Sequence, residues 1–461
     1  MRNYCKLALL LLIFCAVNLA SAAPSSTYSP AASVAFPISS NGVRRELVIP
    51  VDFPDQPGLR NRGEIFQQFF GHYPTGSLAD YFAEVSYGSL ILTGDVIGMP
   101  ALNSSPANSN STVNYSSYVR LPHSKSFYTG RSHGFDVNNF PGNMAGVFHD
   151  AIKALDASGF DFSPYVEPGT RRIDHAIVIF TGSSSAGSGN DTDFHASSYD
   201  LRYYFPGGLV TPSGFEFGNF TFCPELEADG SAATIGVCAH EIGHALGQSD
   251  LYDFSYQSSG VGYYDLMGYG LYGAGTGARP FHPSAATKAL FGWLKLTRIS
   301  SKTKRLKLKA VENSPSAIKL IPSGGDGSEY FILENRQFVG FDSRMSSVGL
   351  CPGLYIWHID QAVATNFRAS NLINSMKLPG GPSHPAISLV EADGDNSLTR
   401  APISYGECGD AWKVGSTWKD SGRANARTWN GAKSGLSVKI LAEKNGSLEL
   451  LIKTTGRSKD F

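Results

Sequence analysis

Two histidines and a glutamate in this chain are spaced so that they could hold and use a metal ion. The segment Val237 to Asp253 reads VCAHEIGHALGQSDLYD and contains His240-Glu241-Ile242-Gly243-His244. On a helix, residues i and i+4 share a face about one turn apart, so His240 and His244 present two imidazoles to one point. Imidazole nitrogens at ~2.1 Å suit zinc. Glu241 follows the first ligand, which places its carboxylate beside the metal rather than on it, where a general base belongs. Gly247 stands where a turn through positive φ would end the helix. The returning chain then offers Asp250 as a third ligand through one carboxylate oxygen. Asp253 is the competing choice at a less favourable spacing. Two His and one carboxylate leave a fourth position open, as a catalytic zinc requires and a structural zinc does not.

A second stretch, Tyr264-Asp265-Leu266-Met267-Gly268-Tyr269, follows the helix. An isolated methionine usually fills core. The neighbouring glycines and the distance from His244 favour a tight turn beneath the ligands, with Met267 as a floor rather than a ligand.

The elements that must position these groups have their own signals. Thr234 to Leu246 reads as the metal-bearing helix, with Ile235, Ile242, Ala245 and Leu246 to bury its far side. Arg44 to Phe53, Ser89 to Val96 and His175 to Thr181 read as strands. Ser77 caps a short helix whose Leu78, Tyr81, Phe82 and Val85 make one face. Asn143 to Ala157 carries Ala145, Phe148, Ile152 and Leu155 at helical spacing. Residues 103–117 form an Asn/Ser-rich loop. From Arg305 onward only short β-like runs follow: Leu306–Val311, Tyr330–Leu333, Leu354–Ile359, Ala386–Val390, Val438–Ala442 and Ser447–Ile452. That half reads as an all-β, sandwich-like domain, with the boundary near Ser300-Ser301.

Composition narrows the class. The 461 residues carry 38 Lys+Arg against 39 Asp+Glu, which argues against an electrostatic nucleic-acid binder. With 17 % charged and 12 % aromatic residues the chain does not read as disordered. Arg2 and Lys6 flank an apolar run from Leu7 to Val17, too short to span a bilayer, and Ala20-Ser21-Ala22 is a small-x-small cleavage site. Export is therefore expected, with no membrane anchor after cleavage. The expected organisation is a signal peptide at 1–22, a short mobile leader at 23–43, a domain at 44–300 that carries the metal motif and the β half at 301–461. Four cysteines remain after cleavage, and proximity in sequence favours Cys223–Cys238 and Cys351–Cys408 as bridges. Asp393-Gly394-Asp395-Asn396 clusters hard oxygen donors but lacks the closing Glu of an EF-hand, so a polar turn is the first reading and a calcium ion the second.

On these motifs the chain resembles the immune inhibitor A-type secreted metallopeptidases, a branch of the metzincins. The resemblance runs through LVIPVDFPDQP at 47–57, YFAEVSYGSLILTGDV at 81–96, HEIGHALGQSDLYD at 240–253, YDLMGYG at 264–270 and PSAATKALFGWL at 283–294. In the β half it includes FILENRQ at 331–337, PGLYIWHID at 352–360 and ISLVEADGD at 387–395. It implies an α+β metzincin-like catalytic domain, a mixed sheet with backing and active-site helices, followed by the sandwich-like domain. It also implies a secreted zinc metalloendopeptidase acting on protein or peptide substrates, with His240, His244 and Asp250 as ligands, Glu241 as base and Met267 as turn methionine. Tyr269 is a candidate donor to the developing oxyanion. Substrate is expected to lie along an edge strand near Ser89 to Val96. A monomer is expected. The competing reading is a secreted binding protein on a peptidase scaffold, non-catalytic or directed at glycoproteins. Loss of Glu241 or a ligand would have marked the non-catalytic form, and all are intact.

Overall fold

The computed structural model describes residues 37–99, 117–130, 132–299, 302–400 and 403–455. The signal segment, most of the leader, residues 103–116 of the Asn/Ser-rich stretch and the expected boundary at Ser300-Ser301 lie outside the described residues.

The first sheet is built from β1 (Gly42–Asp52), β2 (Leu90–Val96), β3 (Val119–Arg120), β4 (Arg172–Ser183), β5 (Ser197–Asp200), β6 (Leu209–Val210) and β7 (Glu216–Leu226). Its order is β2-β1-β4-β7-β5, with β3 on β1 and β6 on β7. Strands β2, β1, β4 and β7 run parallel, whereas β5 and β6 are antiparallel to β7. A parallel sheet is covered on both faces, which is why Leu47 to Val51 and Ala176 to Phe180 are unbroken apolar runs.

Helix α1 (Arg62–Phe70) is followed by α2 (Leu78–Val85), where Ser77 and Asp80 close a capping box and Leu78, Tyr81, Phe82 and Val85 are the buried face. Helix α3 (Met144–Ala157) lays Phe148, Ile152 and Leu155 on one face of the sheet, among Phe217 and Phe220. Each such side chain contributes about 1.5–3 kcal/mol by leaving water. On the other face α2 and α4 (Ile235–Ala245) share a core with Trp293, Ile332 and Trp357. That core continues across residue 300.

Beyond α5 (Ala285–Leu290), β8 (Lys295–Arg298) pairs parallel with β10 (Ser316–Leu320). The second sheet continues through β11 (Glu329–Arg336), β12 (Gly353–Asp360) and β13 (Ile387–Leu389), in the order β13-β12-β11-β10-β8. A third sheet holds β9 (Thr303–Leu308), β14 (Thr417–Lys419), β15 (Leu436–Lys444) and β16 (Ser447–Thr454) in the order β14-β15-β16-β9. Phe331, Leu333 and Ile356 from one sheet meet Trp418, Val438, Ile440 and Ile452 from the other in a common core. This half also holds a seven-residue helix, α6 (Gln361–Phe367), where only strands and loops were expected.

Two expectations are corrected. Cys351 and Cys408 form a disulfide, but Cys223 on β7 and Cys238 on α4 are free thiols. Both sit in the apolar core, where neutral thiols behave as small hydrophobes, and the pair is joined by a hydrogen bond. The leader is not loose throughout: Ile38 is buried, and its N–H donates to the Ala245 carbonyl at 2.9 Å, capping the end of α4.

One buried cation ties the second sheet to the segment under α4. Arg336 donates from Nε to Asp342 Oδ2 at 2.7 Å, from Nη2 to the His282 carbonyl at 2.8 Å and from Nη1 to the Tyr264 carbonyl. Burial opposes an ionised Asp342, yet Arg336 holds its carboxyl below the usual range. Breaking one side of such a pair leaves an uncompensated buried charge. Arg336→Met is therefore expected to lower the unfolding free energy by about 3–5 kcal/mol in a urea titration. A loss below about 1 kcal/mol would contradict this role.

Candidate metal centre

Helix α4 ends where Gly247, at φ +100°, turns the chain back. Gly247 N and Gln248 N close the end on the His244 and Gly243 carbonyls at 2.8 and 3.0 Å. The returning chain carries Asp250 to the two imidazoles. His240 Nε2 and His244 Nε2 lie 3.0 and 3.3 Å from Asp250 Oδ1.

The other ring nitrogens set the tautomer. His240 Nδ1 lies 3.0 Å from the Leu266 carbonyl and His244 Nδ1 lies 2.7 Å from the Gln248 carbonyl. A carbonyl only accepts, so each Nδ1 carries the hydrogen and each Nε2 keeps its lone pair for a metal. Asp250 Oδ1 is buried and, among the described residues, has only the two imidazoles as neighbours to answer its charge. Three electron-rich atoms thus converge in the protein interior. Burial works against charge on each group, but their attraction wins. It holds the Asp250 carboxyl far below the usual range and pushes the His244 imidazole up to about 9, so a proton on His244 Nε2 competes with a cation for the same lone pair. A site that draws in a positive charge this strongly fits a divalent cation held by nitrogen and carboxylate oxygen.

Glu241 is buried beside its two histidines. Burial raises its carboxyl pKa, and the charges of His240 and His244 oppose that rise. Met267 is fully buried under the helix, and a Cβ added to Gly243 would stand 2.3 Å from its sulfur. The turn is drawn tight by Asp265: its Oδ1 accepts from Met267 N at 2.8 Å, and its carbonyl accepts from Gly268 N and Gly270 N at 3.0 Å.

The loop from 247 to 254 is held by a segment far away in sequence. Asn371 donates from Nδ2 to Asp250 Oδ2 at 2.6 Å and accepts at Oδ1 from Asp250 N at 2.8 Å. Arg368 donates to the Gly247 carbonyl, Asn374 to the Leu251 carbonyl at 3.1 Å, and Ser375 Oγ accepts from Phe254 N at 3.0 Å. These tethers had no signature in the sequence, since lone polar residues after a strand-like run carry no pattern.

Other candidates fall elsewhere. Asp253 turns to its own loop, accepting from Ser255 N, Ser255 Oγ and Ser258 Oγ at 2.9, 2.7 and 3.1 Å. Tyr269 packs against Tyr405 at 4.4 Å and Tyr252 at 6.1 Å, while Tyr252 stacks on His240 at 6.2 Å. Its hydroxyl hydrogen-bonds Tyr405, and burial pushes its pKa up. The edge strand expected near Ser89 to Val96 is β2, which lies at the edge remote from α4. The edge that α4 packs against is β5. Just before it, His195 is within reach of the charges of Asp250 and His240, and burial and His133 push it down to about 4. His358 and His384 both stack on Trp429 at 4.7 Å.

A family model described as immune inhibitor A peptidase M6, catalytic domain, matches residues 41–296, more than half of the chain. No curated protein matches the chain. The matched span includes His240, Glu241, His244, Asp250 and Met267 and ends before Asn371. Partners that orient a metal-ligating group typically account for 10–100-fold in affinity. Asn371→Ala should therefore weaken zinc binding by about 10–100-fold in a chelator competition. An unchanged affinity would contradict the tether.

Proposed function

The chain belongs to the immune inhibitor A peptidase family, and from that premise we propose that it is a secreted zinc-dependent endopeptidase acting on extracellular proteins, with Glu241 as general base. The observation that carries this reading is the convergence of His240 Nε2, His244 Nε2 and Asp250 Oδ1, with Glu241 buried beside them.

Zinc, when bound by these three residues, supplies a Lewis acid that polarises the scissile carbonyl and acidifies water. Glu241 takes a proton from the attacking water and delivers it to the leaving amine nitrogen. The rise of its pKa by burial makes it a stronger base than a solvated carboxylate. The hydrogen bonds from the Nδ1 atoms to Leu266 and Gln248 keep both rings from rotating, and Met267 supports them from below. The substrate main chain extends along β5, the antiparallel edge beside α4, and adds one strand by backbone hydrogen bonds. Tyr269 walls the cleft through Tyr252; its hydroxyl would reach an oxyanion only by releasing Tyr405.

Secretion rests on the segment at 1–22, and among the described residues no helix is long and apolar enough to cross a membrane.

Glu241→Gln is expected to keep one zinc per chain while casein hydrolysis falls by about 10²–10⁴-fold, the share of a general acid–base group. His244→Ala is expected to lose the zinc. Undiminished hydrolysis by Glu241→Gln would refute its role as base, and full zinc occupancy in His244→Ala would refute the ligand set.

A further inference from the structure

A second group of carboxylates lies outside the peptidase centre, in the two turns that follow β13. Glu391, Asp393 and Asp395 bring one oxygen each within 4.8 Å of one another, and so do Asp393, Glu407 and Asp410. Asp393 belongs to both sets, so the five side chains form one cluster. Asp410 is fully buried. Its Oδ2 accepts from Tyr264 Oη at 2.5 Å and from Glu407 N at 2.9 Å, while its Oδ1 accepts nothing. That oxygen is the one Asp410 has left to offer to the cluster.

We propose that the turns at 391–395 and 407–410 bind one calcium ion through these carboxylates. The donors are all hard oxygens, which excludes the nitrogen and sulfur chemistry of structural zinc. Calcium takes six to eight oxygens in irregular geometry at about 2.3–2.6 Å, and two turns with several carboxylates suit it better than the strict octahedron of magnesium. The hydrogen bonds these carboxylates accept come from neutral groups: Ser397 Oγ donates to Glu391 and Glu407 at 3.3 and 3.0 Å, and Leu398 N to Glu391 at 3.4 Å. Among the described residues no basic side chain pairs with the cluster.

The turns are already arranged for a ligand. The Cys351–Cys408 disulfide anchors the second turn. Gly409 leaves room for Asp393, whose Oδ2 would stand 1.9 Å from an added Cβ. Tyr264, bonded to Asp410, immediately precedes the Asp265–Met267 turn, so the ion would also steady the floor of the peptidase centre from behind.

The mature chain, cleared of alkaline-earth ions with its zinc kept in place, is titrated with terbium chloride. Emission sensitised by Tyr264 should appear and be displaced by calcium chloride. Calcium should also raise Tm, and magnesium at the same concentration should not. Asp395→Asn, at an exposed carboxylate, should weaken calcium binding at least fivefold with zinc content unchanged. Asp393→Asn combined with Asp395→Asn should abolish both the emission and the calcium-dependent shift. Emission and shift that persist in the double variant, or their absence from the wild type, would overturn the site.

Discussion

Two imidazole nitrogens that stand 3.0 and 3.3 Å from one buried carboxylate oxygen are the constraint on which the centre depends. His240 Nε2, His244 Nε2 and Asp250 Oδ1 cannot be moved apart without unmaking the carbonyl bonds at both Nδ1 atoms and the Asn371 bond at Oδ2. Each outer bond fixes a tautomer or an orientation and leaves the inner atom free. Positive charge at the middle is what makes the arrangement favourable in a medium that solvates charge poorly. The short return at Gly247 and the absence of any side chain on Gly243 above Met267 serve that one geometry.

The second half of the chain takes part in this geometry. The stretch that carries Asp250 has no regular secondary structure, so its backbone groups need partners from elsewhere. Arg368, Asn371, Asn374 and Ser375, just beyond α6, provide them. Arg336 on β11 does the same for the segment beneath, through the carbonyls of Tyr264 and His282. Residues 302–455 thus contribute the outer layer of a candidate centre whose His240, His244 and Asp250 all lie before residue 296. The apolar core shared by Ile242, Trp293 and Trp357 keeps the two layers in register.

Local signals carried much of this into the sequence. Helix α2 was legible because cap and stripe agree, and α3 because four apolar residues recur at helical spacing. The convergence of His240, His244 and Asp250 was legible because helix periodicity and one glycine turn place all three residues within a short stretch. Strand β7 was not, although it is central to the first sheet. Gly218, Asn219 and Pro224 interrupt its run of phenylalanines and read as breakers, while burial between β4 and β5 overrides them. The edge nearest the centre was misplaced because strand order is a tertiary property. The cysteine pair was misjudged for a related reason: nearness of Cys223 and Cys238 in sequence marks where two elements meet, and in an apolar core that meeting is satisfied by free thiols. Asn371 was out of reach, being a single polar residue whose role exists only once two distant loops touch.

The most direct test of the centre is X-ray absorption at the zinc edge on the purified mature chain. The proposed ligand set predicts a first shell of imidazole nitrogen and carboxylate oxygen at about 2.0–2.1 Å, two rings contributing, with no sulfur. A scatterer at about 2.3 Å would place zinc on the Cys223 and Cys238 thiols instead, and a folded chain that takes up no zinc would contradict the centre outright.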